Sequence, residues 1–125
     1  MEPDNNPAAY KRIDLANLLE MTAGDHALVS KYIGIFINTA PLQLNNLQNA
    51  VASENGNLLY SVLHNLKPQI EFIGIKNILP ELNLTETTLQ ENKEVTGSIK
   101  NSAGFIFNEI TLACKELELI QKDFI

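Results

Sequence analysis

Residues 25–53, DHALVSKYIGIFINTAPLQLNNLQNAVAS, decide the fold. Val29, Ile33, Phe36, Ala40, Leu44, Leu47 and Val51 succeed one another at steps of 4, 3, 4, 4, 3 and 4. Such steps hold an apolar stripe on one side of a helix, because successive side chains turn by about 100°. The stripe runs straight through Pro41, so the spacing predicts one long helix over 25–53. A kink is expected at Pro41, whose ring removes the amide that would bond to the Ile37 carbonyl. Two helices meeting at Pro41 is the alternative. Asp25 stands just ahead of the first apolar position and is suited to cap the helix.

On the N-terminal side, residues 14–21 offer Leu15, Leu18 and Leu19 to one face of a short helix, with Asp14 as its expected cap. Residues 22–25 punctuate the chain before the long helix. Residues 1–12 carry two of the 5 prolines, two adjacent asparagines and almost no apolar periodicity, and read as a flexible arm. On the C-terminal side, residues 54–57 (ENGN) read as a turn. A helix over 58–73 follows, with Leu59, Leu63, Leu66, Ile70 and Ile73 in its stripe and Gly74 just past its end. A further helix is expected over about 77–92, with Pro80 tolerated in the first turn and Leu82, Glu86 and Leu89 near one another. After a loop at 93–97, Ile99, Ala103, Ile106, Ile110, Ala113, Leu117, Ile120 and Phe124 form a stripe of almost coiled-coil regularity over 98–124. No segment alternates with period two. The expectation is an all-α antiparallel four-helix bundle with a short N-terminal helix, built as one domain over 13–125.

Composition narrows the partners. The 125 residues include 9 Lys and Arg against 15 Asp and Glu, a formal net charge of -6. Phosphate backbones and anionic lipid would repel such a chain, so nucleic acid and membrane are not expected as partners. Trp is absent and aromatic residues make up 6%, too few for a base-stacking surface. One cysteine, Cys114, allows no internal disulfide and points to the cytoplasm. One Cys with two His, His26 and His64, makes no zinc site without carboxylates, so no metal or cofactor is expected. No apolar run approaches the roughly 18–20 residues of a membrane span, and residues 1–12 lack the apolar region of a signal peptide.

One residue stands off the core pattern. On the 58–73 helix, His64 lies about 140° from the mean direction of the apolar stripe. Lys67 and Pro68 follow at three and four residues, on the same outward surface, with Tyr60 one turn earlier and Glu71 two turns later. Taken alone, this describes an ordinary surface histidine. The stretch His64-Asn65-Leu66-Lys67-Pro68, with Gly74 ten residues after the histidine, resembles the H-x-L-K-G…G signature of histidine-containing phosphotransfer (HPt) domains. Leu15-Ala16-Asn17-Leu18, Met21 to Asp25, Leu28-Val29, Phe36, Pro41, Leu47 and Ala50 resemble the family's leading segments in order and spacing. The resemblance covers about residues 13–92 without gaps.

The resemblance implies a phosphocarrier with no catalytic machinery of its own. A receiver domain's aspartyl phosphate would give its phosphoryl group to His64, which passes it to another receiver. The implied partners are receiver domains of hybrid histidine kinases and response regulators, met by a cytoplasmic monomer. Such chemistry needs an exposed, neutral imidazole attacking through Nε2; magnesium belongs to the receiver. Lys67 would offset phosphoryl charge, unless it merely pairs with Glu71. Glu86, 22 residues after His64, matches a family position that steadies the ring, and a carboxylate there would accept from Nδ1–H and fix the tautomer, unless it is a plain surface Glu. Pro68 replaces the usual glycine and should kink the helix. Gln69 is larger than the serine often found there, and would bond to phosphate or receiver backbone or remain solvated. Tyr60 and Glu71 belong to the expected docking surface.

His26 reads as a surface residue and Cys114 as a packed, inert thiol. The competing reading is a receiver-binding module that no longer transfers phosphate, with Pro68 part of that loss. A fragment of a hybrid kinase fits less well with the Met1 start. An enzyme with its own small-molecule substrate fits least, since no acid–base pair, activated nucleophile or glycine-rich phosphate loop is present.

Overall fold

The computed structural model describes residues 12–124; most of the expected arm, residues 1–11, lies outside them. Five helices pack together: α1 (Ala16–Thr22), α2 (His26–Ala52), α3 (Gly56–Ile73), α4 (Leu79–Glu91) and α5 (Gly97–Gln121). Single 3-10 turns at Lys76–Ile78 and Lys122–Phe124 precede α4 and follow α5. Among the described residues there is no strand, only an isolated antiparallel bridge between Ile13 and Ile75. α2 packs against α3 and α5, α4 packs against the same two, and α1 lies on α2 and α3. The faces so enclosed form one hydrophobic core.

α2 is a single helix that runs unbroken through Pro41. Asp25 caps it, its carboxylate accepting from the Leu28 N–H at 3.1 Å. Its stripe is buried from Val29 to Leu47, but the last buried member is Ala50, not the expected Val51, which is half-buried. A helix of 3.6 residues per turn drifts against the fixed stripe, and by the C-terminus the smaller neighbour has rotated inward. Asn55, not a residue further on, sets the start of α3: its side chain accepts from the Leu58 N–H, so the turn is shorter than expected. All five predicted stripe residues of α3 are buried, with Val62 beside them. Thr96 caps α5 in the same manner through Ile99. The α5 stripe is buried through Ile120, whereas Phe124 belongs to the closing 3-10 turn and is only half-buried.

The start of the described chain corrects the expectation for α1. Leu15, not Asp14, occupies the N-cap position and makes no side-chain capping bond. Asp14 is drawn into tertiary structure: its carboxylate accepts from the Ala16 N–H and pairs with Lys76 at 2.8 Å, and its own N–H donates to the Gly74 carbonyl. Of the expected apolar face, Leu18 is buried, Leu15 half-buried and Leu19 exposed. Arg12 is held by α5, pairing with Glu109 at 2.9 Å and Glu116 at 3.0 Å.

These ion pairs make the N-terminal crossing acid-sensitive. Bonding from Lys76, then from the Ala16 amide, holds the Asp14 carboxyl below its ordinary range. Arg12 does the same for Glu109. Carboxyls lowered in this way contribute fully above about pH 4, the unperturbed carboxylate range. That contribution disappears as pH falls through their lower folded values. The Asp14 amide is therefore expected to lose hydrogen-exchange protection in acid before the α3 amides do. Protection lost at both places together would rule out this local release.

Candidate functional site

α3 turns His64 outward because every neighbour in its stripe is fully committed to the core. The His64 side chain is 60% exposed, while Leu63 and Leu66 on either side are buried. α4 brings the opposite chemistry to the same place. Glu86 lies on its inner side between Leu82 and Leu89, its side chain only 12% exposed, and its Oε2 stands 2.5 Å from His64 Nδ1. An ionised carboxylate only accepts, so Nδ1 carries the proton, and in the neutral ring Nε2 keeps its lone pair. Glu86 Oε1 is buried and has no hydrogen-bond partner among the described residues. An unsatisfied buried oxygen costs roughly 1–3 kcal/mol, an expense that apolar packing at position 86 would not incur.

Lys67, one turn after His64 on α3, is half-buried and makes no ion pair among the described residues; the possible pair with Glu71 does not form. Pro68 is exposed and lies within α3, which continues to Ile73. Gln69 donates from Nε2 to the Asn65 carbonyl at 3.1 Å. Glu71 is exposed, and its backbone carbonyl accepts from Asn17 of α1. Gly74 ends α3 in the left-handed region at φ 92°, packed against Asp14. The structure thus joins His64 to Glu86 directly and ranges Lys67 and Pro68 along the same helix. Gly74 serves the turn beyond it.

Tyr60 does more than line the surface. Its ring stacks on the His64 imidazole, with centroids 5.6 Å apart and planes 12° from parallel. Lys93, from the loop between α4 and α5, places Nζ 4.7 Å from the centre of the same ring. In the sequence Lys93 belongs to the loop expected at 93–97. No helical register connects it to His64, so periodicity offered no signal.

The remaining candidates lie elsewhere. His26 meets Phe124 edge-on at 4.9 Å. Burial, and secondarily the Glu118 charge, push the Cys114 thiol up to about 11, away from thiolate chemistry at neutral pH. A cleft of about 550 Å³ between α2 and α5, lined by Leu47, Val51, Ala103 and Phe107, includes none of the residues around His64. No cluster of three or more His, Cys, Asp or Glu suited to a metal occurs among the described residues. Nor is any helix among them long and apolar enough to cross a membrane. Comparison of the chain with protein-family models, curated proteins and solved structures returns no match.

Proposed function

We propose that the chain is an HPt-type phosphocarrier, in which His64 accepts a phosphoryl group from a receiver-domain aspartate and passes it to a second receiver. The observation that carries this reading is the pair formed by exposed His64 and buried Glu86. A carboxylate enclosed in the core face of α4, with one oxygen unpartnered, has a use where it holds an imidazole in one tautomer and one orientation. In the transfer, the bond between phosphorus and the aspartate oxygen breaks as the bond to Nε2 forms, and the aspartate leaves as carboxylate. Lys67 supplies positive charge to the phosphoryl oxygens. Four long helices form an antiparallel bundle with α1 as its short leading member, the short connections between α2 and α3 and between α4 and α5 favouring antiparallel neighbours. The protein acts as a cytoplasmic monomer without catalytic machinery of its own, meeting receiver domains of hybrid kinases and response regulators.

The direct test incubates the protein with phosphorylated receiver domains from the same source. Acid-labile label is expected to move onto this chain. A stable complex without label would instead identify a receiver-binding module. The role of Glu86 has its own test. Glu86→Leu should slow phosphoryl acceptance about tenfold or more, as loss of an orienting partner does. The same change removes an unsatisfied buried oxygen, so the melting temperature should hold or rise. A large fall in melting temperature with transfer intact would make Glu86 a structural residue only.

A further inference from the structure

We propose that Lys93 is a second phosphate-facing cation of the His64 site, parked over Tyr60 until the phosphoryl group arrives. The inference rests on the phosphotransfer reading of His64 and extends it to a residue outside the signature.

Three observations converge on Lys93. First, its ammonium stands over the ring that stacks on the imidazole, at 4.7 Å from the Tyr60 centre, with Tyr60 and His64 5.6 Å apart. Lys93 and His64 thus share one neighbour, the Tyr60 ring. Second, the backbone at this position is fixed. A Cβ on Gly56 would fall 1.8 Å from the Lys93 carbonyl oxygen, so the loop and the first turn of α3 are in direct backbone contact. Asn92 accepts from the Glu94 N–H on one side, and Val95 is buried in the core on the other. Third, Lys93 is flanked by Glu91 and Glu94 in an acidic chain, yet makes no ion pair among the described residues. Among the described residues its charge meets the face of a tyrosine, a weak attraction at an exposed site. A phosphoryl dianion on His64 offers charge-assisted hydrogen bonds, which are stronger.

Lys67 follows His64 by one turn on α3, and Lys93 meets the ring of Tyr60, one turn before the histidine. Between them they give a chain of net charge -6 a local positive frame for an anion.

Phosphoramidate tests this without any receiver: its P–N bond breaks and ammonia leaves as the Nε2–P bond forms. Lys93→Ala should raise the phosphoramidate concentration for half-maximal rate by about two- to fivefold, the range of exposed charge pairs, with a smaller change in maximal rate. Lys93→Arg should restore it, and combining Lys93→Ala with Lys67→Ala should multiply the two effects. The Lys93 Nζ resonance in 15N NMR should move when His64 is phosphorylated, and stay in place when His64→Gln is treated alike. An unmoved resonance on phosphorylated protein, or wild-type kinetics in Lys93→Ala, overturns the role of Lys93 while leaving His64 as an acceptor. Labelling by phosphoramidate with none from any receiver overturns the relay instead. A His64 that takes label from neither phosphoramidate nor a receiver overturns both.

Discussion

His64→Gln is expected to abolish acceptance of the phosphoryl group, with no residual acid-labile label after incubation with phosphorylated receivers. Glutamine has no ring nitrogen with a free lone pair, and its amide is not a nucleophile at neutral pH. The fold gives no reason for collateral damage. The side chain is 60% exposed, and a glutamine amide can still donate to Glu86 Oε2. Stability should stay within about 0.5 kcal/mol of the parent, as for surface positions generally. Far-UV circular dichroism and a denaturant titration check that half, and phosphoryl transfer checks the other. Undiminished labelling of the variant would move the acceptor away from His64 and end the proposed function. His26, edge-on to Phe124, serves as the internal control, because its replacement should leave labelling intact.

The largest expected loss of stability is at Gly74. This residue closes α3 with φ 92°, a left-handed conformation that costs a residue with Cβ roughly 1–2 kcal/mol. An added Cβ would also fall 1.9 Å from the Asp14 carbonyl oxygen. The chain crosses closely here, with the Asp14 N–H donating to the Gly74 carbonyl at 2.9 Å and Ile13 bridged to Ile75. Relieving the clash means lifting the crossing segment, at roughly 1–3 kcal/mol by analogy with overpacked cores. Gly74→Ala should therefore cost about 2–5 kcal/mol in urea unfolding. Gly24 provides the comparison: its φ is 73°, but nothing lies within 4 Å of an added Cβ. Gly24→Ala should show the conformational cost alone. Equal losses at the two positions would mean that contact with Asp14 carries no energy.

The parts of this structure that follow from register were open to reading in the sequence. Five residues of the α3 stripe are buried where their spacing puts them, and His64 faces out as a result. Glu86 was named through the resemblance, as the family position 22 residues after His64; no periodicity in the sequence pairs it with the histidine. Through-space competition was closed to such reading. Asp14 has the chemistry of a helix cap, but Lys76, the Ala16 amide and the Gly74 carbonyl claim it first. The contact of Lys93 with Gly56 joins a loop to a helix start, and neither carries a periodicity that names the other. Lys93 over Tyr60 depends on that contact, which only the folded chain brings about.

If His64 accepts a phosphoryl group as proposed, the bond between Glu86 and His64 Nδ1 would also decide which chemical compound results. Imidazole offers two sites of phosphorylation, and the two products are distinct regioisomers that hydrolyse at different rates and bind different antibodies. With one nitrogen engaged by a carboxylate, the group is expected on the other. A population of this protein should therefore lose its phosphate in a single exponential, and only a reagent specific for the Nε2-linked isomer should detect it.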